Sequence, residues 1–363
     1  MALAPTCPAT QTRTPKRPGA ECDVSEMAEA VVVGLDVGGT KTNATVLAED
    51  GQFLVDQMVE VASRVLQGPP AAITAIDEVM DLALEVTGVP RTRVRAIGLD
   101  TPGPASANGV ISARGATNFS NAEWWGFDFR TAVEERLSLP VIYNNDGNAA
   151  ALYAHEYHFG AEASRRSSVS AIVGTGLGGG VVEAGRVIRG AAGMAGELGH
   201  VQIPMDGLLV PGQPVPRCNC GFDADLESIA SLSGIANNLL PFWLTRYPGH
   251  PLGEIDIGSA AKLVRDYGER GDELARHIFD QQALALGRMF TIAANFVDPD
   301  AYFVGGGVTD TGAEFRDRFL ERVRAATLLR EEQAKVATFA VVPDLDMAGA
   351  RGSALAALRA IRP

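Results

Sequence analysis

The sequence predicts an α/β fold of two domains in which both halves follow one plan. Three observations point there. The chain has 363 residues, more than a single hydrophobic core usually organises. A strand–glycine turn–strand unit lies near its start, Val33-Gly34-Leu35-Asp36-Val37-Gly38-Gly39-Thr40-Lys41-Thr42-Asn43. A second lies in the other half, Ile172-Val173-Gly174-Thr175-Gly176-Leu177-Gly178-Gly179-Gly180-Val181-Val182. Weak internal duplication is the simplest explanation of the pair.

Taken in order, residues 1–28 hold Pro, Thr, Ala and mixed charge with no periodic apolar face, and are expected to be a disordered tail. The tail has no continuous apolar stretch of the kind a secretory signal needs, and Met27 is a candidate start. Residues 31–37 form an apolar run rich in β-branched side chains, hence a buried strand, and 42–48 continue as strand after the turn. Residues 71–86 carry helical apolar spacing; 94–99 are a strand, stopped by the rigid turn Thr101-Pro102-Gly103-Pro104. Residues 139–143 are a strand, followed by Asn144-Asn145-Asp146-Gly147-Asn148 and a helix over 149–159. Strands at 169–173 and 180–183 flank the second glycine turn. Residues 260–296 are helical with a break near 268–271, Asp298-Pro299-Asp300 ends them, and 301–304 form a short strand leading into Gly305-Gly306-Gly307. An Ala/Leu-rich helix over 352–361 closes the chain. The expected domains are 29–144 with 349–363, and 145–348.

Composition narrows the classes. Hydrophobic content is 46%, and no apolar run approaches the roughly 20 residues that span a bilayer. A formal net charge of −13 disfavours a nucleic-acid partner, which calls for a basic face. A small anionic ligand stays compatible, because glycine loops and a magnesium ion manage charge locally. Of four cysteines, Cys7 and Cys22 lie in the tail, and Cys218 and Cys220 are too close in sequence to bridge comfortably. That pattern suits a reducing cytoplasm and a metal rather than a disulfide framework.

Glycine reaches φ > 0 and lets the backbone approach an anion with no Cβ in the way. The two turns therefore offer N–H groups to a polyphosphate, through Gly38, Gly39, Thr40 and Lys41 in the first and Gly174, Thr175, Gly176, Gly178 and Gly179 in the second. Thr40 and Thr175 add hydroxyl donors. Asp36, at the end of the first strand, is placed to hold a hydrated Mg²⁺. The first turn is not a P-loop, which needs Gly-x-x-x-x-Gly-Lys-Ser/Thr opening a helix, whereas strand resumes after Lys41. One glycine hairpin is common and needs no ligand. Two of them, with a Gly-Gly-Gly after a further strand, suggest a nucleotide clamped between two domains.

Asp146 follows a buried strand and precedes a helix. It is expected as an N-cap, or as a carboxylate that accepts the proton of an attacking hydroxyl and is kept anionic by the helix N-terminus. Phosphoryl transfer has a loose transition state, so placing that hydroxyl matters more than base strength. Between 197 and 227 the chain carries Glu197-Leu198-Gly199-His200 and Cys218-Asn219-Cys220-Gly221-Phe222-Asp223-Ala224-Asp225-Leu226-Glu227. One His, two Cys and one Asp can make a tetrahedral, structural Zn²⁺ site. Glu197 and Glu227 flank it and can accept hydrogen bonds from sugar hydroxyls.

From residue 31 to the C-terminus these motifs resemble the ROK family (repressors, open reading frames and sugar kinases). The resemblance is carried by Asp36-Val-Gly-Gly-Thr-Lys41, Pro102-Gly103-Pro104, Asn145-Asp146-Gly-Asn148, Gly174-Thr175-Gly176-Leu-Gly178-Gly179-Gly180, Glu197-Leu-Gly-His200 and Cys218-Asn-Cys220-Gly221. It implies a two-domain actin-like ATPase fold, related to ribonuclease H and hexokinase, with a nucleotide and sugar cleft between the domains. ATP would lie along both turns, with Gly305, Gly306 and Gly307 near the adenosine. Asp146 would be the base acting on the sugar's 6-hydroxyl, and Asn118, Asn145, Glu197, His200 and Glu227 would hold the other hydroxyls. His200, Cys218, Cys220 and Asp225 would hold the zinc and order the loop beside the sugar. The family also implies a homodimer or tetramer.

Three features depart from the family pattern. Ala224 and Asp225 stand where a glycine and a third cysteine are usual, and Asp is a harder ligand than thiolate. The stretch from His200 to Cys218 is long and holds Pro204, Pro211, Pro214 and Pro216, which is expected to reshape the rim of the sugar site. Gly147 replaces the usual alanine and weakens the helix start. The function expected is an ATP-dependent hexose 6-kinase, most of all a glucokinase, with an N-acetylhexosamine, N-acetylmannosamine or fructose kinase as the alternative. Polyphosphate as donor is disfavoured, since the related polyphosphate users generally lack the cysteine cluster. A sugar-sensing repressor is disfavoured because about 30 irregular residues, too few for a winged helix-turn-helix, precede the first strand.

Overall fold

The computed structural model describes residues 30–103, 105–112 and 117–362; the expected N-terminal tail, and Pro104 of the Pro-Gly-Pro turn, lie outside them. The chain runs β1 (Val31–Val37), β2 (Lys41–Ala48), β3 (Val59–Ala62), α1 (Pro69–Thr87), β4 (Val94–Thr101), α2 (Phe129–Leu137), β5 (Val141–Asn145) and α3 (Asp146–Phe159). It continues through β6 (Ser168–Val173), β7 (Leu177–Glu183), β8 (Arg186–Val187), α4 (Leu232–Gly234), α5 (Leu240–Arg246), α6 (Ile257–Glu269) and α7 (Glu273–Phe296). It ends with β9 (Ala301–Gly306), α8 (Ala313–Ala326), α9 (Glu331–Val336), β10 (Thr338–Val341) and α10 (Leu345–Ile361).

The first sheet has the order β3-β2-β1-β4-β5 and the second β8-β7-β6-β9-β10. In each, the first three strands are an antiparallel meander and the last two join parallel to its first strand. One topology thus occurs twice, as the paired glycine turns suggested. The central strands are buried on both faces, so they read as near-continuous apolar runs.

The helix that ends each half crosses to the other half's sheet. α3 follows β5 but lies on β6 and β7, while α10 follows β10 but lies on β1, β2 and β4. The two helices pack against each other between the sheets, and glycines allow the approach. A β-carbon at Gly34 of β1 would come within 1.9 Å of Ala350 O, and one at Gly98 of β4 within 1.9 Å of Ser353 O. A β-carbon at Gly352 of α10 would come within 1.8 Å of Ala149 O in α3. Gly349 and Gly352 make the start of α10 a poor helix by propensity, so the sequence places it at 352 although it begins at Leu345.

The proline-rich stretch before Cys218 is fastened to the second core. Ile203 and Leu208 are buried there, Arg288 donates to Pro204 O and Asp206 O, Arg246 donates to Pro211 O, and Gln281 donates to Leu208 O. It is therefore held against α5 and α7. Among the described residues no helix is long and apolar enough to cross a membrane.

Candidate active site

The first glycine turn joins β1 to β2, with Gly38 N donating to Lys41 O at 2.9 Å. Lys41 Nζ pairs with Glu60 of β3 at 2.5 Å and is exposed. In this arrangement its charge is directed to that carboxylate. Asn118 packs on the turn, since a β-carbon at Gly39 would lie 2.6 Å from its Oδ1. The second turn joins β6 to β7, with Gly174 and Thr175 exposed. Gly305 and Gly306 belong to β9 itself rather than to a turn after it. Gly306, at φ 96°, leaves no room for a β-carbon, which would meet Val173 O at 2.0 Å; Gly307 N donates to the same oxygen at 3.0 Å. The third glycine cluster is thereby packed on the strand end that enters the second turn.

Asp146 is the first residue of α3, not its cap. The cap is Asn145, whose side chain accepts Gly147 N at 2.9 Å, and Asp146 Oδ1 accepts the same N–H at 2.7 Å. Gly147 sits on Gly179, which lies in β7 rather than in the turn before it: a β-carbon at 147 would come 2.5 Å from Gly179 N. The departure from alanine at 147 thus has a packing cause. Burial pushes the Asp146 carboxyl up to about 7, with the Asp36 and Glu197 charges adding and the Gly147 hydrogen bond opposing. Removal from water among other acids thus works against the helix N-terminus, which favours the ionised form.

A further acid, Asp100, was not picked out in the sequence. It is fully buried at the end of β4, opposite Asp36 on β1, and Ser353 Oγ of α10 donates to its Oδ2 at 2.7 Å. Burial, then the Asp36 charge, raise its carboxyl well above the usual range. Burial also raises Asp36, against hydrogen bonds from Asp100 and Asn43. Two buried carboxylates on neighbouring strands repel, which adds to the rise. Nothing local in the sequence marks Asp100; a carboxylate closing an apolar strand of a buried sheet is the one available signal.

The sugar-type residues fall into three places, with Asn118 on the first turn and the others in two groups. A β-carbon at Gly103 would lie 3.1 Å from Asn145 Nδ2 and 3.6 Å from Glu197 Oε1, so these side chains converge beside Asp146. Burial raises the Glu197 carboxyl, with Glu227 adding and His200 opposing. Glu227 instead accepts Leu177 N at 2.8 Å and faces Cys218 Sγ at 3.4 Å.

His200, Cys218, Cys220 and Asp225 bring one ligating atom each within 4.8 Å of one another. His200 Nδ1 lies 3.2 Å from Asp225 Oδ2, and Cys220 Sγ lies 3.4 Å from the same oxygen. Asp225 is completely buried; burial acts to raise its carboxyl, but hydrogen bonds from His200, Cys218, Ser228 and Cys220 leave it lowered. An imidazole nitrogen, two sulfurs and an ionised carboxylate form a donor set that suits a tetrahedral Zn²⁺.

The family model described as ROK family matches residues 32–360. A glucokinase of Halalkalibacterium halodurans is 32% identical over 291 residues, 79% of this chain and 83% of the relative. An N-acetyl-D-glucosamine kinase of Escherichia coli is 30% identical over 289 residues, covering 76% and 84%. Among solved structures, a ROK family glucokinase from Streptomyces griseus in complex with glucose and AMPPNP superposes with a TM-score of 0.67 at 29% identity, covering 91% of this chain and 100% of that one. The twice-repeated sheet, with its crossed helices and a glycine turn in each half, is the actin-like ATPase fold of these kinases. Fold, motif order and coverage agree: the chain belongs to the ROK family, among its ATP-dependent sugar kinases.

Proposed function

We propose that the protein is a hexokinase that transfers the γ-phosphoryl group of ATP to the 6-hydroxyl of a hexose, glucose foremost. The observation that carries this is the seat of Asp146: it opens α3 where Gly147 packs on Gly179, next to a phosphate-type turn and to Asn145 and Glu197. A hydroxyl held by those polar groups lies between an acceptor for its proton and a nucleotide along the turns. As the oxygen attacks the γ-phosphorus, its proton passes to Asp146 and the bond to the bridging oxygen breaks, leaving ADP and a sugar phosphate. The two lobes of this reading are 29–144 with 349–363 and 145–348, carrying one turn each. A homodimer or tetramer in a reducing cytoplasm completes it.

Two metals belong to the same reading. Asp36, backed by Asp100, would hold hydrated Mg²⁺, which when bound neutralises phosphate charge in a cleft already crowded with acids. Zinc on His200 Nδ1, Cys218, Cys220 and Asp225 would order the loop beside the sugar and leave His200 Nε2 for a hydroxyl. Elemental analysis of a chelator-free, active preparation is expected to find close to one zinc per chain. An active preparation without zinc would mean that Asp225 does not replace a thiolate.

The curated N-acetyl-D-glucosamine kinases at 30% identity support a second reading, in which a 2-acetamido sugar is the substrate. ADP release measured over glucose, mannose, fructose, N-acetylglucosamine and N-acetylmannosamine separates the two. The first reading expects the highest kcat/KM on glucose with ATP as donor. A clear preference for an N-acetyl sugar would replace it by the second, and turnover with polyphosphate alone would contradict both.

A further inference from the structure

We infer that Glu227 and Ser233 are positioning residues for the second glycine turn, so that the segment leading out of the cysteine cluster sets nucleotide affinity as well as sugar affinity. The inference rests on the kinase reading above.

Within the turn Gly174 N donates to Gly176 O at 2.9 Å, and the rest of its backbone is tied from outside. Gly174 O accepts Leu232 N at 3.0 Å, and Thr175 O accepts both Ser233 N at 3.0 Å and Ser233 Oγ at 2.8 Å. Leu177 N donates to Glu227 Oε2 at 2.8 Å. Gly176 leaves the space for that carboxylate, since a β-carbon there would lie 2.6 Å from Glu227 Oε2. Glu227 is fixed in turn: its N–H donates to Gly199 O at 2.8 Å beside His200, its carbonyl accepts Ser231 Oγ at 2.6 Å, and Oε1 faces Cys218 Sγ. One short segment thus touches both the cluster and the turn's backbone at Gly174, Thr175 and Leu177.

The consequence is electrostatic. A turn binds phosphate when its N–H groups face the ligand and its carbonyls face away. Residues 232 and 233 tie the Gly174 and Thr175 carbonyls back, and Glu227 fixes where the turn re-enters β7. Without these ties the carbonyls are free to rotate toward the anion, and the ordering must then be supplied on binding.

The test uses the full chain and AMPPNP with Mg²⁺, titrated calorimetrically in the absence of sugar. Glu227→Ala is expected to weaken AMPPNP binding by about tenfold, and Glu227→Gln, which keeps an acceptor for Leu177 N, by roughly threefold or less. Ser233→Ala, which loses one hydrogen bond to the turn and leaves the Glu227 side chain in place, is expected to raise the KM for ATP about two- to fivefold with the KM for sugar unchanged. Nucleotide binding like that of the unaltered chain in both Glu227→Ala and Ser233→Ala would overturn the inference and leave Glu227 a sugar ligand alone. If the unaltered chain itself binds no AMPPNP, the kinase reading fails and the inference with it.

Discussion

Asp146→Asn is expected to lower kcat by about 10²- to 10⁴-fold, the usual contribution of a positioned general base. Glucose affinity is expected to stay within a few fold, because Asn145 and Glu197 keep their places and an amide oxygen can still accept from Gly147 N. The unaltered enzyme should also lose kcat/KM as pH falls below about 7, tenfold per pH unit, since the carboxyl raised by burial must be ionised to accept a proton. The sign for stability is opposite. A carboxyl whose folded value lies above its unfolded one stabilises the fold while protonated, and that contribution is lost as pH rises from the unfolded value through about 7. Asp146→Asn should therefore raise the melting temperature at pH 8 while nearly abolishing turnover. Steady-state kinetics and thermal unfolding across pH 5.5–8.5 check both signs. A variant retaining kcat within threefold would remove Asp146 from the role of base.

Gly352→Ala should unfold or severely destabilise the protein. In an ordinary helix interior this change adds about 1 kcal/mol of stability. Here a β-carbon would lie 1.8 Å from Ala149 O, backbone against backbone, where no side chain can turn aside. Separating α3 from α10 means lifting both from the sheets they share, and a loss of about 3 kcal/mol or more is expected. Gly312→Ala is the control, because a β-carbon there meets nothing within 4 Å. Urea midpoints decide the matter: a Gly352→Ala midpoint equal to that of the control would mean that the crossing is looser than described.

The strands were legible because each central one is a continuous apolar run; β1 was read to the residue, 31–37. β5 was read two residues early, since it runs to Asn145 through two polar residues that pair with Asp100 and Thr101 of β4. α3 and α10 were read short for one reason. Gly147, Gly349 and Gly352 weaken a helix locally, yet each is required by a close backbone or carboxylate neighbour that the sequence does not reveal. The glycine turns were recognisable because their chemistry is local. Asp100 was not, because its partner Ser353 lies 253 residues away. The cap at Asn145 rather than Asp146 and the pairing of Lys41 with Glu60 depend likewise on side-chain geometry that spacing leaves open.

The most direct test of the central claim is the ³¹P and ¹H NMR spectrum of the product formed from glucose and MgATP by the unaltered enzyme and by Asp146→Asn. The proposed function predicts a phosphomonoester on the 6-oxygen from the former, with one ADP per sugar phosphate, and the same product formed about 10²- to 10⁴-fold more slowly by the latter although it still binds glucose. Phosphorylation at another carbon, or an equal rate from Asp146→Asn, would contradict it.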